Sequence, residues 1–177
     1  MPSSLSHAAA GLAVGAWLGP KEPPRRFWVL SAICGAIPDI DVIGWFHVPN
    51  SSIVGHRALT HSISFAVFVG ALAARAMSRD YRQTSARLRL FVTFALATVT
   101  HGVLDALSEY SVGIEFFAPF SHHRYRFPWQ PLTDYRNVGV LGAIFDELRW
   151  VLLPASCLAL IGWLVRRAAR PARETAA

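Results

Sequence analysis

The stretch LRLFVTFALATVTHGVLDAL, residues 88–107, decides the fold. It is almost wholly apolar, and its 20 residues, at about 1.5 Å each, match the roughly 30 Å hydrocarbon core of a bilayer. Arg89 interrupts it near one end, and His101 and Asp105 near the other. Positions i and i+4 of a helix share a face, so this imidazole and this carboxylate converge. A carboxylate carried to mid-membrane costs roughly 2.5–3.5 kcal/mol. A His–Asp hydrogen bond would offset that cost, and so would a metal ion taking both groups as ligands.

Four further apolar stretches flank this one, at residues 5–18, 27–46, 61–77 and 138–165. The stretch 27–46 is long enough to span and 61–77 falls slightly short. The stretch 138–165 is also long enough, although Asp146, Glu147 and Arg149 interrupt its first half. The first stretch, rich in Ala and Gly, is too short for a comfortable span and reads as tilted, re-entrant or packed inside the bundle. The chain of 177 residues is 53% hydrophobic and only 16% charged, against about 25% charged in a typical soluble domain. That composition excludes a disordered chain and a globule with a polar skin. It predicts an all-α fold, a polytopic membrane bundle of four to five helices, as one domain over residues 1–177. Cys34 and Cys157 each lie in an apolar run and read as small hydrophobes, and no CxxC offers a thiolate metal site. No cation precedes the first apolar stretch, so it does not read as a signal peptide.

The charges sort by side. Lys21, Arg25 and Arg26 fill the first connection, Arg75, Arg79, Arg82, Arg87 and Arg89 the third, and Arg166, Arg167, Arg170 and Arg173 the tail. If the five stretches alternate in direction, all three clusters fall on one side, which the positive-inside rule makes cytoplasmic, with residues 166–177 as a basic, mobile cytoplasmic tail. The formal net charge of +6 then divides into +9 on that side and −3 on the other, which also receives all seven histidines. The arginines flank hydrophobic helices and form no soluble basic domain, so no nucleic-acid partner is expected.

The opposite end gathers the chemistry. Pro38-Asp39-Ile40-Asp41 ends the second stretch, and in a continuous helix its two carboxylates would point about 200° apart. One can then bind a metal while the other ties down the turn, and Pro38 can bend the chain here. After a short loop come His56, Arg57, Thr60 and His61, with Thr60 as a candidate N-cap placing His61 in the first turn of the third helix. His7 follows Ser6, another candidate cap. Four helix ends therefore bring His7, Asp39 or Asp41, His56 or His61, His101 and Asp105 to one level as metal-ligand candidates. Nitrogen and oxygen donors without thiolate suit zinc, with manganese or iron as alternatives. The number of ligand candidates suggests one or two ions, which together activate water for attack at phosphorus. Arg57, Arg124 and Arg126 on the same side are candidates to hold a phosphate. The aromatic, proline-rich stretch between the fourth and fifth helices reads as an interfacial segment and a candidate lid. Its His122 and His123 read as facing solvent or headgroups, and Glu147 as a ligand, a base or an ion-pair partner.

Taken in order, Ser6-His7, Pro38-Asp39-Ile40-Asp41, His56-Arg57-x-x-Thr60-His61-Ser62, His101-x-x-Leu104-Asp105 and Pro119-Phe120-Ser121 followed by Pro128-Trp129 resemble the YdjM-like family. These are bacterial inner-membrane proteins described as membrane-bound metal-dependent hydrolases, distantly similar to the zinc-dependent phospholipase C and single-strand nuclease group. The resemblance covers the chain from about residue 7 to residue 132. It implies one zinc held by Asp39 or Asp41, His56 or His61, His101 and Asp105, with His7 serving a neighbouring ion. A second His-x-x-x-Asp/Glu and a processed N-terminal Trp are both missing, which favours a mono- or dinuclear site.

The expected function is therefore a membrane-bound hydrolase whose metal-activated water attacks a phosphoester, with membrane lipid as its surroundings and a phospholipid as one candidate substrate. Asp39, Asp41, Arg57 and Asp105 are the catalytic candidates, and Arg57, Ser121, Arg124 and Arg126 the substrate-binding ones. The alternative is a non-catalytic metal-binding, metal-sensing or ion-transporting membrane protein. The expected location is the bacterial inner membrane, crossed several times, with the metal site opposite the cytoplasmic basic loops.

Overall fold

Apolar segments of this length fold as helices because a bilayer leaves no other way to satisfy their backbone groups, and the computed structural model bears this out over residues 2–44, 47–109 and 111–168. The helices are α1 (Ser4–Leu18), α2 (Arg25–Ala36), α3 (Ile63–Ala76), α4 (Thr84–Ala106), α5 (Tyr135–Glu147) and α6 (Leu153–Ala168). A 3-10 helix, Ile37–Gly44, prolongs α2, and a π-helical turn, Leu148–Leu152, joins α5 to α6. Three helical segments are long and apolar enough to cross a membrane: Arg25–Gly44, Thr84–Ala106 and Tyr135–Ala168, the last kinked at Gly139. The shorter α1 and α3 pack against them, which for α1 matches one of the three arrangements open to the first apolar stretch. Of the basic tail expected at 166–177, only residues up to 168 lie within the described part.

Local chemistry sets the boundaries. Ser3 caps α1 by accepting from the Ser6 amide at 3.4 Å, and Ser62 caps α3 by accepting from the Phe65 amide at 3.1 Å. Both caps differ from the expected ones. Ser6 lies inside α1, and Thr60 belongs to a short 3-10 turn, Leu59–His61, ahead of α3. Pro38 has no amide proton to continue the α-helical ladder of α2, and the chain tightens to 3-10 geometry around it. Asp134 caps α5, its side chain accepting from the Arg136 amide at 3.0 Å.

Small residues let the helices approach. A Cβ on Gly35 would lie 2.3 Å from the His7 carbonyl oxygen, and one on Gly11 would lie 2.3 Å from that of Ser31. Helices α1 and α2 therefore cross with their backbones in contact, as helices do where lipid supplies no hydrophobic drive. Gly70 of α3 also lies close to Ala95 of α4, where a Cβ would stand 2.8 Å from the Ala95 amide nitrogen. The side-chain core, Phe27, Cys34, Met77, Leu90 and Phe94 among others, fills the half of the bundle nearest the start of α2 and the end of α3. Hydroxyls within the spans are satisfied inside their own helices, Thr98 donating to the Phe94 carbonyl at 3.0 Å and Ser31 to that of Phe27 at 2.9 Å. Large side chains such as Val29, Phe68, Leu72 and Leu160 face outward, an exterior suited to lipid.

The opposite half is polar. There α1 begins, α2 and α4 end and α3 begins, so His7, Asp39, His61, His101 and Asp105 share one end while Lys21, Arg26, Arg79, Arg87 and Arg167 share the other.

Candidate metal centre

Helix ends place the ligands, and second contacts aim them. His101 lies one turn before the end of α4, and its ring Nδ1 donates to the Gly35 carbonyl at 2.8 Å. A carbonyl can only accept, so Nδ1 carries the proton and the lone pair of a neutral ring is on Nε2. That atom lies 3.3 Å from Asp39 Oδ1. His61 is oriented in a comparable way. The Thr60 hydroxyl donates to Asp41 Oδ2 at 2.7 Å, which leaves its oxygen to accept from His61 Nδ1 at 3.0 Å. His61 Nε2 is thus turned toward Asp105 Oδ2 at 3.4 Å and Asp39 Oδ1 at 3.9 Å. His7 stacks on His101 with ring centroids 3.6 Å apart, and its Nε2 lies 3.6 Å from Asp105 Oδ1.

These atoms test the fit of a metal. His7 Nε2, Asp39 Oδ1, His61 Nε2, His101 Nε2 and Asp105 Oδ1 are all buried, and none has a hydrogen-bond partner in the protein. Buried polar atoms are normally paired, so five facing one another call for a shared partner. One donor atom each from Asp39, His61, His101 and Asp105 lies within 4.8 Å of the others. Ligands about 2.0–2.1 Å from a tetrahedral ion sit roughly 3.3–3.4 Å apart, close to the shortest separations seen. Two carboxylates and neutral imidazoles suit zinc or another borderline divalent cation. Burial alone would drive a proton off His61, but the adjacent carboxylates of Asp105 and Asp41 outweigh it and raise the His61 pKa above its ordinary value. The field at that ring favours a cation.

Asp41 is held apart from this cluster. Its Oδ1 pairs with His56 Nδ1 at 2.7 Å, and its Oδ2 accepts from the Arg57 amide at 3.1 Å as well as from Thr60. It fastens the loop carrying His56 to His61 and reaches the centre only through His61, as an orienting carboxylate does. With His56 and His61 it forms a second group able to hold an ion. Arg57 is buried with φ 66°, a left-handed conformation uncommon for a non-glycine residue. Its Nε donates to Asp105 Oδ2 at 3.1 Å, and its carbonyl accepts from the Glu115 amide at 3.1 Å.

The remaining sequence candidates lie on the segment between α4 and α5, each with partners in the protein. Arg124 pairs with the buried Glu115 at 2.9 Å and donates to the carbonyls of Gly113 and Asn50, clamping this segment to the 50–57 loop. Arg126 donates to the Glu109 carbonyl at 3.1 Å, and the Ser121 hydroxyl accepts from the His123 amide at 3.2 Å. His122 is exposed beside Glu115, as expected of a solvent-facing histidine. Glu147 is not among the grouped ligand candidates and accepts from the Ser3 amide, fixing the start of α1. The Gly35 carbonyl is the functional group that sequence reasoning missed. A backbone oxygen carries no residue signature, and only the small Gly11 and Gly35 hint at the close approach.

Comparison with known proteins places the chain among inner membrane proteins. A family model described as YdjM inner membrane protein matches residues 1–171. Inner membrane protein YbcI of Escherichia coli (strain K12) is 34% identical over 175 residues, covering 94% of this chain and 100% of that protein. No solved structure matches.

Proposed function

The chain belongs to the YdjM inner membrane protein family, and from that premise we propose that it is a metal-dependent hydrolase acting on phosphoesters at a membrane surface. The observation that carries this reading is the set of five buried, unpartnered donor atoms on His7, Asp39, His61, His101 and Asp105. Asp39, His61, His101 and Asp105 would hold a divalent cation, zinc by preference, and His7 would flank it. Such an ion supplies Lewis-acid polarisation of a phosphoryl oxygen and activation of water near neutral pH. The Gly35 carbonyl and the Thr60–Asp41 pair keep the two imidazole lone pairs aimed at one point. Arg57 balances the charge of Asp105 and brings a fixed guanidinium to the centre, where an anionic ester would be drawn. The Asp39 side chain, 12% exposed where His101 and Asp105 are fully buried, marks the side from which water and substrate approach, and its carboxylate is the group placed to accept a proton from incoming water. The basic end would face the cytoplasm and the centre the opposite surface.

The test is metal analysis of the purified protein combined with hydrolysis of a phosphodiester and of phospholipid. Activity is expected to vanish with chelator and in Asp105→Ala, and activity surviving either treatment overturns the reading. The complete burial of His7, His101 and Asp105 favours a second reading, a non-catalytic metal-binding or ion-conducting protein. Tight metal retention with no ester turned over, or zinc flux into liposomes, would decide for it.

A further inference from the structure

At the end of the bundle opposite the candidate metal centre, a cavity of about 640 Å3 opens between the α1–α2 connection, the α3–α4 connection and the end of α6. Its walls combine two kinds of side chain. Trp28, Tyr81 and Trp163 supply aromatic faces, and Lys21, Arg166 and Arg167 supply positive charge. The guanidinium of Arg167 stands over the Trp163 ring at 5.2 Å from its centroid, and that of Arg166 over Trp28 at 5.8 Å. Arg166 is also anchored by donating to the Pro20 carbonyl at 2.8 Å. Stacking fixes a guanidinium by its face and leaves its N–H edge directed outward, the arrangement that suits a phosphate.

Among the described residues the charge on these walls is not balanced. Two acids, Glu22 and Asp80, face the three cations. Asp80 is already taken by an ion pair with Arg26, which lies off the wall. Lys21 and Arg167 pair with no acid among the described residues, so the walls keep an excess of positive charge. Lys21 also lines an adjoining cavity of about 260 Å3 with Arg89 and Ser85, so the positive surface continues toward the start of α4. Tryptophan and tyrosine concentrate where headgroups meet water, and basic pockets between spanning helices recognise anionic headgroups.

From this juxtaposition we infer that the cavity lined by Lys21, Trp28, Tyr81, Trp163, Arg166 and Arg167 is a binding site for a phosphate-bearing anion. The headgroup of an anionic phospholipid is the source that its place at the membrane surface favours. The phosphate lies between Lys21 and Arg167, and the tryptophans cover the glycerol and the first acyl carbons. The site is remote from the metal ligands and does not depend on the hydrolase reading.

The experiment uses the full chain, purified in detergent and weighed intact by native mass spectrometry after addition of phosphatidylglycerol, cardiolipin or phosphatidylcholine. Glycerol 3-phosphate and inorganic phosphate form a parallel arm. Lys21→Gln/Arg167→Gln removes the unpaired cations. Arg79→Gln/Arg82→Gln removes the same charge from exposed positions at the same end but off the cavity wall. One equivalent of anionic lipid is expected to be retained in preference to phosphatidylcholine, with retention lower by about tenfold or more in the cavity variant and unchanged in the control. If the soluble phosphates bind as well as the lipids, and with the same dependence on Lys21 and Arg167, the site stands and its ligand is a free phosphate. An equal loss in both double variants, or equal retention of phosphatidylcholine, overturns the proposal, since either would mean diffuse surface charge and no built site.

Discussion

Asp105 and Asp41 approach the same histidine from opposite sides, and substitution separates their roles. Asp105 faces His7 and His61 and is the acidic partner of buried Arg57. Replacing it with Asn removes a ligand and leaves a buried guanidinium without its counter-charge, a loss of roughly 3–5 kcal/mol for such a pair. Asp105→Asn is therefore expected to purify without metal and to unfold at much lower temperature. Asp41 acts through Thr60 and His61, so Asp41→Asn is expected to weaken zinc binding about 10–100-fold while leaving the stoichiometry intact at saturating zinc. Equilibrium dialysis against zinc, paired with thermal unfolding, checks both, and loss of all metal in Asp41→Asn would make Asp41 a ligand in its own right. The His101–Asp105 pair was legible because four residues is a helical turn. The choice between Asp39 and Asp41 was not, since it depends on the 3-10 geometry after Pro38 and on a loop that folds back from residues 56–61. The surroundings of Arg124 were hidden for a related reason. Sequence groups Arg124 with the candidate ligands but gives no sign of Glu115, Gly113 and Asn50, which engage it.

Helix α2 reaches the centre through its backbone, so the crossing of α1 and α2 should be as sensitive as any ligand. A methyl group on Gly35 meets the His7 carbonyl at 2.3 Å and cannot be accommodated by rotating a side chain. Gly35→Ala is expected to cost about 1–3 kcal/mol as the helices separate. It should also lower zinc affinity, because the Gly35 carbonyl that aims His101 shifts with them. Gly139 supplies the contrast. Its φ of 72° disfavours any other residue, but nothing lies within 4 Å of the added carbon. Gly139→Ala should strain the start of α5 and leave zinc affinity unchanged. Measuring affinity and melting temperature together for both variants checks the pair, and an equal loss of zinc in Gly139→Ala would show that α5 communicates with the site. Apolar runs gave the helices to within a few residues because burial in lipid demands helix. The caps at Ser3 and Ser62 were misplaced by a few residues because Ser6 and Thr60 have the same chemistry nearby, and only tertiary contacts decide which hydroxyl the backbone uses.

At the scale of the molecule, the bundle separates an apolar, arginine-rimmed half from a polar half, and that division makes its orientation testable. The separation was legible from charge alone, because the densest basic clusters fall on alternate connections and the histidines with most of the acids on the others. How four short-range motifs meet at one point was not, since that depends on the glycine contacts between helices. The positive-inside rule predicts that the arginine rim is cytoplasmic. Arg79 and His123 are both exposed and stand at opposite ends of the bundle, so each can report its side as a cysteine. The native thiols should stay silent toward an aqueous reagent, Cys34 because it is buried and Cys157 because it lies on α6 within a candidate span. In cells with a permeabilised outer envelope, a membrane-impermeant maleimide is expected to label His123→Cys before lysis and Arg79→Cys only after it. The reverse pattern would turn the metal centre toward the cytoplasm and the arginine-rimmed cavity outward. It would also mean that the two unpaired cations, Lys21 and Arg167, meet lipid of the outer leaflet, and the ligand sought for that cavity would have to come from there.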